Sequence, residues 1–151
     1  MIKAERRAEV TWEGDLKRGS GTIHSTGSGA LGKLPVTWAS RTERSDGKTS
    51  PEELIAAAHA ACYAMIFSDM LAKAGTPPTK LIVNANCAFE EVKGGFKITT
   101  IYLNVRGQVP GMDHASFAQA ASKAEQSCPV SNALRNNVQI RLTSHLEEQR
   151  G

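Results

Sequence analysis

Residues 50–74, SPEELIAAAHAACYAMIFSDMLAKA, constrain the fold more than any other stretch of the chain. Ser50 signals a helix start, Pro51 suits the first helical position, and Glu53 stands three residues after Ser50 in a capping-box arrangement. The pattern predicts a helix to about Ala74, where Gly75 suits the C′ position and Pro77-Pro78 forbid continuation. Its interior, AAAHAAC, is almost free of bulk, so another backbone can approach closely. Spacing puts Ile55, Ala58, Cys62 and Ile66 on one apolar face. A long helix of this kind, in a chain of 151 residues, needs sheet or a second copy of the chain to cover it.

The flanking sequence supplies the sheet. Residues 2–24 read as strands broken by a WEGD turn, and 25–35 as a Gly/Ser-rich loop. VTWAS (36–40) reads as a short strand, and RTERSDGKT (41–49) as a charged loop. KLIVNANCAFEE (80–91) alternates with period two. Leu81, Val83, Ala85, Cys87 and Phe89 share one face; Asn84 and Asn86 take the other. VKGG marks a hairpin, after which Ile101, Leu103 and Val105 point inward. Asp113 suits the N-cap of a helix over about 114–126. Pro129 opens a short further helix to about Arg135, and a last strand carries Val138, Ile140 and Leu142. This order predicts an α+β chain, one domain over residues 1–151, in which an antiparallel sheet covers long central helices.

Composition excludes several classes. Charged residues make up 22% and net charge is +3. The basic residues are scattered, so no nucleic-acid face is spelled out. Aromatics are 5%, too few for a base-stacking platform. No apolar run reads as a membrane span, and MIKAERRAEVTW has no apolar signal region. The expected compartment is the cytoplasm, where thiols stay reduced and a disulfide would be transient.

The chemistry lies in three cysteines, none in a CxxC pair. Cys87, on a strand's apolar face, reads as a buried small hydrophobe. Cys62 sits mid-helix, so the helix dipole does not activate it and a thiolate there needs a nearby cation. Arg41 or Arg44, from the loop before the helix, could provide it, with Glu52 or Glu53 fixing the guanidinium. Cys128 falls at a helix N-cap, where thiols are good exchange partners. Two such thiols suggest a peroxidase. One thiolate attacks a peroxide and becomes a sulfenic acid; the other condenses with it to a disulfide.

WEGDLKRGSG, TSPEELIAAAHAAC and SCPVSNAL together resemble the OsmC/Ohr family of organic hydroperoxide reductases, and its OsmC branch more than its Ohr branch. The resemblance covers essentially the whole chain. It implies an OsmC-like intertwined homodimer with two active sites at the subunit interface. It makes Cys62 the peroxidatic thiol, Cys128 the resolving thiol and Glu52 the catalytic carboxylate. Arg41 matches the family's arginine best. The loop from Arg41 to Pro51 is slightly longer than the family pattern, which leaves Arg44 second, and Arg18 lies near the Ohr-branch position. Cys87 has no counterpart role. The implied partners are a small organic hydroperoxide and an external dithiol or lipoyl-protein reductant, with no metal or other cofactor, no nucleic acid and no membrane.

Two other readings remain from the residues. One is a non-catalytic redox-sensing or small-ligand module on the same fold. The other is a metal-binding protein. His59 and Cys62 share a helix face and Cys128 could add a ligand, but His24, His114 and His145 lack the spacing to complete a site, so His59 is read as packing or making polar contacts inside the helix pair.

Overall fold

The computed structural model describes residues 1–25 and 27–148. The chain forms two compact units, Met1–Leu54 and Ile55–Gly151.

In the first unit, strands β1 (Glu9–Glu13), β2 (Ser20–His24) and β3 (Lys33–Val36) form an antiparallel sheet in that order. Strand structure therefore begins at Glu9 rather than at residue 2. The β1–β2 turn is closed by Asp15, which accepts from the Arg18 N–H at 2.7 Å. VTWAS is not a strand. It spans the end of β3 and a one-turn helix, α1 (Trp38–Thr42). The reason is local: Thr37 caps the Ser40 N–H, and the Ser40 hydroxyl accepts from the Thr37 N–H, each at 3.0 Å, a reciprocal capping arrangement. Ser40 Oγ also donates to the Thr49 carbonyl at 3.0 Å, which ties the charged loop back to α1.

Helix α2 (Pro51–Lys73) starts in the first unit and runs on through the second. Ser50 Oγ accepts from the Glu53 N–H at 3.2 Å, but Glu53 does not complete the expected box. Its carboxylate accepts instead from Thr49 Oγ1 at 2.8 Å. The far end closes as the glycine predicts. Gly75 has φ +88°, its N–H reaches the Ala72 carbonyl, and the Thr76 N–H reaches that of Leu71.

The buried stripe of α2 is not the one expected. Tyr63, Phe67 and Leu71 are at most 1% exposed, with His59 beside them at 0%. Ile55, Cys62 and Ile66 are half-buried and Ala58 is exposed. Large side chains bury more apolar surface than alanines do, so the bulky stripe takes the core and the small-residue stripe is left outside. By length and composition α2 is apolar enough to cross a membrane, contrary to the sequence reading, and 22% of that window is buried within the chain.

The rest of the second unit builds the core. Strands β4 (Lys80–Val92) and β5 (Gly95–Gln108) form a long hairpin, and β6 (Gln139–Leu146) completes a sheet of order β4-β5-β6. The β5–β6 ladder is parallel, because helices α3 (His114–Ser127) and α4 (Pro129–Leu134) carry the chain across between them. Asp113 caps α3 through the Ser116 N–H at 2.7 Å. Ile101, Leu103 and Val105 are at most 1% exposed, as their alternation requires. A bulge between Ala88 and Phe89 breaks the period of β4. Phe89 then stacks on Phe96, with ring centroids 5.2 Å apart, instead of continuing the inward face. Phe67 meets Phe117 of α3 at 5.2 Å, an aromatic contact that locks α2 and α3 over the sheet.

Candidate active site

In the first unit, Arg41 and Glu52 form a fork. Arg41 Nη2 lies 2.7 Å from Glu52 Oε1, and Arg41 Nε donates to both carboxylate oxygens at 3.0 and 3.2 Å. The Glu52 side chain is 8% exposed and that of Arg41 28%. The pair is thus shielded from water far better than a surface ion pair. The guanidinium carbon also lies 5.9 Å from the centroid of the Trp38 ring, within cation–π reach. Of the three arginines that the sequence nominated, only Arg41 is held in this way. Arg44 is exposed. Arg18 is 92% exposed and stands 4.0 Å from Asp15, also at the surface.

In the second unit, α2 and α4 bring two thiols together. Cys62 is half-buried on α2, one turn after His59. Cys128 is fully buried and occupies the N-cap of α4, as Pro129 predicts, although its side chain makes no capping bond. The Cys128 side chain lies close enough to Cys62 to influence its ionisation, and so does the Val130 backbone N–H. Burial is the main influence on the Cys62 thiol and pushes it up from its ordinary value of 9.0. The Val130 N–H opposes that shift, and Cys128 adds to it. Within this unit the net direction is thus the reverse of what a neighbouring guanidinium would give. Cys87, a free thiol like the other two, is half-buried and packs against the core as expected.

Further contacts frame Cys128; the sequence placed His59 in packing or polar contacts inside the helix pair, and the structure supplies the partners. The His59 imidazole Nε2 lies 2.6 Å from Ser131 Oγ, and both residues are 0% exposed. Tyr63 donates to the Ala121 carbonyl at 2.9 Å, joining α2 to α3. Arg135, just past α4, donates to the Glu125 carboxylate at 2.8 Å and to the Glu125 carbonyl at 3.2 Å, closing the bend on the side of α3. His59 Nδ1 is buried and has no hydrogen-bond partner among the described residues. An orphaned polar atom of this kind costs about 1–3 kcal/mol. Burial also pushes His59 below its ordinary 6.5; Glu125 opposes that shift and Arg135 reinforces it. Among the described residues no group of three His, Cys, Asp or Glu gathers to hold a metal ion. The His59 nitrogen that faces Ser131 is taken by that hydrogen bond.

A signal for the His59–Ser131 contact was present in the sequence. His59 precedes Cys62 by three residues, and Ser131 follows Cys128 by three. Each pair therefore shares a helix face.

Residues 44–143 match the sequence profile of OsmC-like proteins. The peroxiredoxin OsmC of Escherichia coli strain K12 is 43% identical over 135 residues, covering 89% of this chain and 93% of that protein. This chain belongs to the OsmC-like family. An organic hydroperoxide resistance protein of Xanthomonas axonopodis pv. citri is 35% identical over 96 residues, 63% of this chain and 66% of that one. The fold agrees. The organic hydroperoxide resistance protein OhrB of Bacillus subtilis superposes with a TM-score of 0.72 at 25% identity, over 93% of this chain and 98% of that one. The α+β architecture of this OsmC-like chain, two small sheets and their helices, is the family's.

Proposed function

We propose that the chain is a thiol-dependent peroxidase that reduces organic hydroperoxides to alcohols. The observation that carries this reading is the Cys62–Cys128 pair, one thiol half-buried on α2 and the other sealed at the start of α4, close enough for Cys128 to influence the ionisation of Cys62. The Cys62 thiolate attacks the outer peroxide oxygen. An S–O bond forms, the O–O bond breaks, and the alkoxide leaves and takes a proton to become the alcohol. The Cys128 thiolate then attacks the sulfenic sulfur. The S–S bond forms, and hydroxide departs and is protonated to water. An external dithiol or lipoyl-bearing protein returns both thiols, and a reducing cytoplasm keeps them poised.

Arg41 is the proposed cation for the thiolate and Glu52 the carboxylate that fixes it. Their shielded bidentate fork supports those roles. A thiol that burial pushes up needs such a charge to react at neutral pH. We also assign the 1–151 chain to a single functional domain, acting as a homodimer. The exposed small-residue face of α2, with Met65 at 73% exposure, supports the second copy. The names of the relatives, peroxiredoxin and organic hydroperoxide resistance protein, point to the same chemistry.

The decisive experiment adds one equivalent of an organic hydroperoxide to the reduced protein and maps disulfides by mass spectrometry. A Cys62–Cys128 disulfide, with one alcohol per chain, is expected. Cys62→Ser should consume no peroxide. Cys128→Ser should consume about one equivalent, stall, and yield a sulfenate adduct with dimedone. Near-parental turnover in Cys62→Ser would end this reading, and an intact dithiol in the parent would favour a binding module instead.

A further inference from the structure

Among the described residues, a side-chain hydrogen bond joins α2 to α4, between His59, one turn before Cys62, and Ser131, one turn after Cys128. The Cys62 and Cys128 side chains lie beside it, close enough for Cys128 to influence the ionisation of Cys62. Tyr63 ties α2 to α3, and Arg135 ties the end of α4 to α3. Among the described residues, neither of those bonds holds α4 along the axis of α2. Helix α4 has only six residues, and its N-cap makes no side-chain hydrogen bond. An apolar side chain at position 59 would fill the core without an orphaned nitrogen, so packing alone does not account for a histidine there.

We infer that the His59–Ser131 hydrogen bond pins the register of α4 against α2. It keeps the Cys128 thiol opposite Cys62 and so sets how fast, and how far, the Cys62–Cys128 bond closes. The inference rests on reading these two cysteines as a redox pair. Both His59 and Ser131 are positioning residues, since neither touches a reacting atom. Disulfide formation accepts only a narrow range of Cα separations and torsions, so a small slide of α4 removes the attacking sulfur from line. Displacements of about 1 Å can slow a positioned reaction by about a hundredfold.

The test compares the parent with Ser131→Ala, His59→Leu and His59→Gln, using two oxidants. Cumene hydroperoxide probes the peroxidase route. Diamide takes two electrons and two protons from any dithiol and probes closure alone. Formation of the Cys62 sulfenate is followed with dimedone, closure by mass spectrometry, and the disulfide equilibrium against dithiothreitol. In Ser131→Ala and His59→Leu, sulfenate formation should stay within about twofold of the parent. Closure should slow by about tenfold or more with either oxidant, and the equilibrium should move toward the dithiol. His59→Gln keeps a hydrogen-bonding group for Ser131 and should recover part of the loss. His59→Leu removes one orphaned nitrogen and leaves the Ser131 hydroxyl unpaired, so its urea midpoint at neutral pH should stay close to the parent's while closure slows, a split that a merely structural role would not give.

Parental closure rates in Ser131→Ala overturn the pin. So does an equal slowing of sulfenate formation and closure, or a His59→Gln no better than His59→Leu. If a position-59 variant fails to fold, Ser131→Ala, which loses one oxygen, still decides. If cumene hydroperoxide leaves the parent dithiol intact while diamide closes it in the parent faster than in the variants, the peroxidase reading falls and the pin stands.

Discussion

Cys62 is pulled in two directions, and which one prevails decides its reactivity. Burial and Cys128 disfavour the thiolate, while the Val130 N–H favours it. In the proposed mechanism Arg41 tips the balance. Arg41→Ala should therefore raise the pH midpoint of Cys62 alkylation by about one unit or more. Arg44→Ala and Arg18→Ala, both at exposed positions, should leave it in place. An unchanged profile in Arg41→Ala would remove Arg41 from the site. His59 offers a second titration. Its folded value lies below 6.5, so from there downward the unfolded chain takes a proton that the folded chain refuses. The stability linked to this group is fully present above 6.5 and is lost as pH falls toward the folded value. Glu125 from α3, Arg135 beyond α4 and Ser131 on α4 face this group and set the size of the effect. As pH falls below 6.5, the urea midpoint of the parent should fall more steeply than that of His59→Leu. Parallel slopes would mean that His59 titrates normally.

The elements are held by a few close approaches. Gly107 on β5 lies under Phe117 of α3, and a Cβ added there would come within 2.6 Å of the Phe117 ring and 3.1 Å of Leu81. Phe117 is 1% exposed and packed against Phe67, so it has little room to yield. Gly107→Ala should destabilise the chain by about 1–3 kcal/mol through overpacking. Urea unfolding measures it, and a loss below about 0.5 kcal/mol would show that α3 shifts freely. At α2 the bulky stripe from Tyr63 to Leu71 chose the core, which turned the face that carries Cys62 partly outward. That orientation leaves the thiol reachable while Cys128 stays sealed.

For the whole molecule, the exposed apolar side chains ask for a partner. Ala57, Ala58 and Ala61 are exposed along α2, and Met65 continues their face. On β1, Val10 and Trp12 are 57% and 39% exposed. A second copy laid on these faces would remove more apolar surface from water than one chain can by itself. Met65→Lys places a charge on the proposed interface and should shift the mass in light scattering toward the monomer, with loss of peroxide turnover. A parent that is monomeric and active at micromolar concentration would exclude the homodimer.

The sequence by itself determined what depends on neighbours along the chain. The start and stop of α2, the cap at Asp113, the restart after Cys128 and the alternation in β5 follow from turn chemistry and periodicity, and all are found. The three family segments likewise made the fold legible and nominated the two thiols that the proposal uses. What only the tertiary structure decided depends on competition between distant groups. Periodicity gives α2 two apolar stripes and cannot say which is buried; the aromatic one wins because it meets Phe117 and the sheet. Two glutamates open α2; the family resemblance singled out Glu52, and the structure adds the physical difference, a fork with Arg41 for Glu52 and a turn to Thr49 for Glu53. His59 and Ser131 stand 72 positions apart, and no local rule pairs them. Burial removes water as their alternative partner, and that makes the contact specific.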